Sequence, residues 1–267
     1  MNMNPKDVGK FCKEAKMSFK QISLAILIAF CAMWPMGMVV MGAELVAHWP
    51  FNQNSGKEVK DVVGGHHGQV KGGDAAWVPG KFENGLQIKG PNHYVEVEQA
   101  VELELKTLTF IAWIKLDSAA GRQEIVSYAD SYVVMADGGL FHAFIFAIKG
   151  GGEWGNWWPV HGKIAVEAGK WYQTAVTIDG KEIQLYVNGK LDAKADIPGV
   201  EYQDFAMWFG GGPADNTFWL TGVLDQIEIW DDVLSDAEIM GLFNEPAGLA
   251  VKPNSDKLTT TWGRLKF

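Results

Sequence analysis

The sequence predicts an all-β protein: a two-sheet antiparallel sandwich of the jelly-roll kind, closed by one short C-terminal helix. Three observations predict it. The 267 residues include 31 glycines and 12% aromatic residues, and charged helix-forming repeats are missing, a balance that suits many strands joined by turns. Strand-like runs recur from about Leu45 to Trp230. Turn dipeptides separate those runs at short intervals, as in sandwiches and barrels.

The elements follow in order. LTFIAWIKL (Leu108–Leu116) is almost continuously apolar, the pattern of a strand covered on both faces. WYQTAVTI (Trp171–Ile178) runs into Asp179-Gly180, a hairpin signal. EIQLYV (Glu182–Val187) alternates, with Ile183, Leu185 and Val187 on one face and Glu182, Gln184 and Tyr186 on the other; Asn188-Gly189 then predicts a second hairpin. The helix opens on the capping box formed by Ser235 and Glu238 and carries an apolar stripe of Ile239, Leu242 and Phe243. Trp113, Trp171 and Trp230 sit on strand-like segments and are expected in the core; Trp49 and Trp77 are expected to pack locally.

Residues 1–43 stand apart. Lys10, Lys13, Lys16 and Lys20 lead into the apolar stretch Ile22–Ala43, which reads as a secretory signal peptide or, given its length, an uncleaved membrane anchor. Phe30 before Cys31 argues against a lipid-attachment site. Cys12 and Cys31 both lie in this leader, so a domain spanning 44–245 would fold without disulfides. Residues 246–267 read as a linker and a short tail, LTTTWGRLKF, either a sorting or docking tag or a disordered end. The chain has 23 basic and 32 acidic residues; the leader holds five lysines and two acids, which leaves the remainder near −12. Such a charge excludes nucleic acid and anionic lipid surfaces as partners, a possible N-terminal anchor aside. A secreted or cell-surface location in a bacterium follows as the expectation.

Seven pieces then carry a resemblance: HWPFNQNSG (His48–Gly56), WVPGKFENGLQIKG (Trp77–Gly90), YVEV (Tyr94–Val97), FIAWIK (Phe110–Lys115), GKWYQTAV (Gly169–Val176), LYVNGK (Leu185–Lys190) and GVLDQIEIWDDVLSDAEI (Gly222–Ile239). In this order and spacing they resemble the laminin-G-like, or concanavalin A-like, jelly-roll domains of exported bacterial proteins, over Leu45–Phe243. The resemblance implies two stacked antiparallel sheets, one of them concave, and a mostly non-catalytic family. Many members bind sugars, some bind proteins, and many hold a structural calcium ion near the paired terminal strands.

For that calcium the resemblance points to Asn52, Asp61, Gly65 and Asp225. If GVLDQIEIW is a regular strand, Val223, Asp225, Ile227 and Ile229 share one face, and a carboxylate on an apolar face needs a cation or amide donors. The sequence departs from the family's pattern: Asn52 stands where an aspartate is usual, and DVVGGHHG (Asp61–Gly68) stands where Asp-x-Ser-Gly-Asn-Gly is usual. Two negative ligands predict modest affinity. The other reading is that Asp225 bonds to backbone amides. His66 and His67 are adjacent, so they point to opposite sides of an extended chain and suit exposed imidazoles better than zinc.

No catalytic strand of the E-x-D-x-E type is present. Glu96 with Glu98 and Glu102 with Glu104 lack it, and Asp225 and Glu228, three apart, should face opposite ways. G-x-S-x-G and phosphate-loop motifs are missing, and the glycine runs GGGEWG and FGGGP precede no helix. The sequence is read as non-enzymatic.

The stretch GGGEWGNWWPVHG (Gly150–Gly162) places three tryptophans in a glycine-rich segment. Indoles in a loop suit a flat, C–H-rich face such as that of a sugar ring. Trp154 and Trp157 are the stacking candidates and Trp158 the anchor. Asn156, with Glu153 and His161, would bond hydroxyls, and His142, Asp215 and Asn216 would join from other segments. The expected partner is a carbohydrate or glycoprotein. A protein–protein adhesion module of the same fold is the rival reading, and a glycoside hydrolase the remoter one.

Overall fold

The computed structural model describes residues 42–128, 131–146, 157–202, 204–212 and 218–247. The expected leader, and the expected tail beyond residue 247, lie outside these. The strands are β1 (Leu45–Trp49), β2 (Glu58–Val59), β3 (Gly68–Lys71), β4 (Ala76–Pro79), β5 (Asn84–Lys89), β6 (Tyr94–Val97), β7 (Leu108–Leu116), β8 (Gln123–Tyr128), β9 (Tyr132–Asp137), β10 (Leu140–Phe146), β11 (Trp157–Ala165), β12 (Trp171–Ile178), β13 (Glu182–Val187), β14 (Lys190–Asp196), β15 (Met207–Phe209) and β16 (Thr221–Trp230), followed by helix α1 (Asp236–Asn244).

They form two antiparallel sheets. The first runs β14-β13-β12-β7-β16-β5-β4, with β1 also paired to β16; the second runs β11-β10-β9-β8-β15-β6-β3-β2. Between them lies the main core. Phe110, Ala112, Ile114 and Leu116 of β7, Ile183, Leu185 and Val187 of β13, Val95 and Val97 of β6, and Trp49, Phe141 and Phe209 are all buried there. This is the jelly-roll sandwich the alternation predicts.

The continuous apolar run of β7 has its expected cause. Its other face, through Ile111, packs with Ala175, Tyr186, Leu234 and Ile239 beneath α1, and Phe243 of α1 stacks on Trp113 at 5.4 Å. Ser235 and Glu238 make the reciprocal capping box that starts α1. Asn188 (φ 51°) and Gly189 (φ 74°) give the left-handed pair required by the hairpin between β13 and β14.

The tryptophans follow expectation only in part. Trp49, expected to pack locally, is fully buried between the sheets. Trp113 is buried on the outer face of the first sheet, and Trp171 and Trp230 are only partly buried. Strand membership alone does not choose between the two faces of a sheet that is covered on both.

A second departure lies in β16. Gln226 adopts a left-handed φ of 46°, and the ladder to β7 shifts there: Asp225 pairs with Trp113, but Glu228 pairs with Ile111. The bulge resets the alternation. Ile227 and Ile229 face the inter-sheet core with Leu224, whereas Asp225 and Glu228 both fall on the outer face, opposite Trp113 and Ile111. The regular-strand expectation, which put Asp225 with Ile227 and Glu228 opposite, is therefore corrected. The bulge also frees the Gln226 amide to bridge back to β1, since Oε1 meets His48 Nε2 at 2.8 Å and Nε2 donates to the Pro50 carbonyl.

Candidate functional site

Asp61 is buried in the loop between β2 and β3 and accepts four backbone amides. Its Oδ1 takes His48 N (2.9 Å), Val63 N (2.9 Å) and Gly64 N (3.1 Å); its Oδ2 takes His66 N (2.9 Å). Gly64 must be glycine for this, since a Cβ would stand 2.5 Å from the Val46 carbonyl and 3.0 Å from Asp61 Oδ2. The Gly65 carbonyl accepts His67 N within the same turn. Asp61 and Gly65 thus organise a loop, and their oxygens are committed to amides.

Asp225 is fully buried. Its Oδ2 accepts Lys81 N (2.8 Å) and Phe82 N (2.9 Å), so the amide-bonding reading holds for this oxygen. Its Oδ1 has no hydrogen bond of good geometry, and Asn52 Oδ1 and Gln53 Oε1 are likewise buried without partners. These residues meet at one corner, where Asn84 Nδ2 donates to the Gln53 carbonyl and Asp225 Oδ2 and the Asn84 carbonyl both crowd Gly80. Carboxylate and amide oxygens of this kind are the donor type that a hard cation takes. Burial pushes the Asp225 carboxyl up to about 7, against the pull of the Phe82 and Lys81 amides and of Gln226. Glu228 is also buried and raised to about 7 by desolvation; it accepts Ala247 N and Trp230 Nε1. Although the bulge places these two carboxyls on one face, they are 0% and 1% exposed, which keeps a glycan from either.

Of the expected ligand residues, Trp154, Asn156, Asp215 and Asn216 lie outside the described residues, as does Glu153. Trp157 begins β11, in register with Phe146. His142, on β10, lies directly opposite His161 on β11.

The structure adds an aromatic site on the outer face of the second sheet that the sequence reading missed. In β6 the alternation sends Val95 and Val97 inward and Tyr94 outward; in β15, Met207 and Phe209 point inward and Trp208 outward. Tyr94 and Trp208 stack at 4.0 Å with an 18° tilt. Trp219 lies 5.7 Å from Tyr94 and 6.4 Å from Trp208, nearly parallel to the latter. None of the three is fully buried.

Ion pairs flank these rings. Beside Tyr94, Lys71 Nζ meets Glu96 at 3.1 Å. Toward β8, Arg122 Nη2 donates to Glu124 Oε1 at 2.7 Å, and the guanidinium sits 4.0 Å over the Phe218 ring. Glycine explains how the chain fits here: a Cβ on Gly211 would strike the Trp219 indole at 2.5 Å, and one on Gly212 would strike Glu124 Oε2 at 1.8 Å. Gly211 and Gly212 form a close-approach strip that seats Trp219 and Glu124. Stacked rings bordered by fixed charges offer apolar contact beside directed hydrogen bonds, the mixture typical of small-ligand sites.

A family model of the concanavalin A-like lectin/glucanases superfamily, of laminin-G type, matches residues 89–240, more than half of the chain. The chain belongs to this laminin-G-like family. The fold of this laminin-G-like domain is also found in solved structures. The binding domain of Paraclostridial Mosquitocidal Protein 1 matches with a TM-score of 0.61 at 17% identity, over 75% of this chain and 52% of that one. Domain 4 of AbnA, an extracellular arabinanase from Geobacillus stearothermophilus solved with arabinotriose, matches at 0.56 and 17% identity, over 75% and 98%. The binding domain of botulinum neurotoxin DC, solved in complex with SialylT, matches at 0.56 and 13% identity, over 75% and 51%. The laminin-G-like domain thus spans about half the length of both toxin binding domains. No curated protein matches its sequence.

Proposed function

We propose that the protein is an exported, non-catalytic carbohydrate-binding module whose ligand lies on the outer face of the second sheet. The observation that carries this reading is the cluster of Tyr94, Trp208 and Trp219, partly exposed and flanked by the Lys71–Glu96 and Arg122–Glu124 pairs. Pyranose and furanose rings offer a C–H face to indoles and hydroxyls to the charged groups. The arabinotriose and SialylT complexes of two structural neighbours support a sugar ligand. The fold also occurs among glucanases, but Asp225 and Glu228, the two carboxyls on the outer face of β16, are sealed from solvent, which favours binding without hydrolysis.

Calcium belongs to the same proposal in a reduced form. Asp225, Asn52 and Gln53 would hold it, and Asp61 and Gly65 would support the neighbouring loop. Bound there, calcium would supply positive charge to oxygens that now lack donors.

A glycan array read in millimolar calcium and again in EDTA tests both parts. Binding in both buffers supports the sugar face with calcium structural or absent, and binding lost in EDTA ties the ion to recognition. A blank array from folded protein overturns the carbohydrate reading and favours a protein ligand, the class represented by the botulinum neurotoxin DC binding domain solved with rat synaptotagmin II.

A further inference from the structure

His142 and His161 face one another across the β10–β11 ladder. Their Nδ1 atoms are 3.0 Å apart, with ring centroids 5.0 Å apart and planes crossed at 76°. His142 is half-buried and His161 exposed. Behind His142, its Nε2 lies 3.2 Å from the Asp137 carbonyl. A carbonyl only accepts, so this contact holds the proton on Nε2, and the neutral ring presents a lone pair on Nδ1. That lone pair is aimed at His161. A ring that donates to a carbonyl on one nitrogen and offers a lone pair on the other has the supporting bond usual for metal-bound histidine.

We infer that His142 and His161 form a two-nitrogen chelate for a divalent transition metal of the copper or nickel class. A metal about 2.0–2.1 Å from each nitrogen, with the nitrogens 3.0 Å apart, sees them at an angle of roughly 90°. That is the cis angle of tetragonal and octahedral sites, and it is narrower than tetrahedral zinc prefers. The order of divalent affinities also places copper first. Uptake requires that His161 move its proton from Nδ1 to Nε2 and that both rings turn so that their Nδ1 lone pairs meet on the metal rather than on each other.

The neighbouring carboxylate is engaged elsewhere. Asp192 accepts the Lys163 and Ile164 amides and lies 2.6 Å from where a Cβ of Gly162 would stand. Strand alternation puts that position on the face opposite His161. Among the described residues no group of three or more His, Cys, Asp or Glu is poised on a metal. Among the described residues the site is therefore bidentate, and its other coordination positions would be filled by water or by an oxygen or nitrogen brought by a partner. It stands independently of the proposed sugar face.

The test is titration of the purified protein with Cu²⁺, followed by calorimetry and electron paramagnetic resonance. One equivalent should bind, with a tetragonal spectrum split by two imidazole nitrogens. Because the second histidine binds at high effective concentration, His142→Gln or His161→Ala alone should weaken binding about 10²-fold. The double variant should lose little more, and His66→Ala/His67→Ala should change nothing. Exposed His161 makes its variant safe for folding, which circular dichroism verifies. Equal affinity in the wild type and His161→Ala, or a spectrum with a single nitrogen, would overturn the inference.

Discussion

Asp61→Ala is expected to lower the unfolding free energy by about 3–5 kcal/mol, one of the largest single-residue effects in the domain. Four backbone amides converge on its carboxylate, including that of buried His48 in β1. Each would be left without an acceptor where water reaches poorly, and each such loss costs about 1–3 kcal/mol. Asp61→Asn should be milder, at about 1–2 kcal/mol. Its amide oxygen would still serve the three donors on the Oδ1 side, while its NH₂ would face His66 N. Urea unfolding of the three proteins measures this ranking. Equal stability in Asp61→Ala and the wild type would show that the loop finds other acceptors, and the loop-organising role would fall.

The second large effect is a pH dependence rooted in Asp225. Burial holds this carboxyl, and Glu228 with it, near 7 when folded, against about 4 when unfolded. Between those values the folded chain keeps protons that the unfolded chain has lost, so stability falls as pH rises from about 4 to about 7 and then levels. His48 and His93 act in the opposite sense. Desolvation lowers both, so below about 6.5 the unfolded chain takes up protons first and stability falls with falling pH.

Asp225→Asn separates these contributions. Its amide oxygen can receive Lys81 N and Phe82 N, and its neutral NH₂ takes the place of Oδ1. In EDTA the variant should exceed the wild type by roughly 2–4 kcal/mol at pH 8 and match it within about 1 kcal/mol at pH 5. Millimolar calcium should close the gap at pH 8 by stabilising only the wild type. Parallel stability curves from pH 5 to pH 8 would contradict the raised carboxyl, and a calcium effect of equal size in both proteins would contradict the ion's place at Asp225.

Much of the fold was legible because the signals are local. The alternation of β13, the Asn188-Gly189 turn and the Ser235–Glu238 box each act within a few residues, and the structure keeps all three. The bulge in β16 was not legible. It depends on left-handed Gln226, a conformation that glycine or asparagine would have advertised, and it moves Asp225 and Glu228 onto one face.

The candidate site was less legible than the fold. Tyr94 and Trp208 are far apart in sequence and meet only because β15 inserts between β6 and β8. With three residues, β15 is too short to show an alternation. The FGGGP run was a usable signal: three glycines before Phe218-Trp219 mark a backbone approached by large side chains. His142 and His161 were each legible as polar candidates, but their pairing needed the β10–β11 register.

The proposed sugar-binding face consists of Tyr94, Trp208 and Trp219. Affinity electrophoresis through polysaccharide gels, run on the wild type, Tyr94→Ala, Trp208→Ala and Trp219→Ala with folding verified by circular dichroism, tests it most directly. A polysaccharide is expected to retard the wild type, and Trp208→Ala and Trp219→Ala are each expected to weaken binding by about 2 kcal/mol, roughly 30-fold. Retardation unchanged in all three variants, or lost only when Trp154 and Trp157 are replaced, would contradict it.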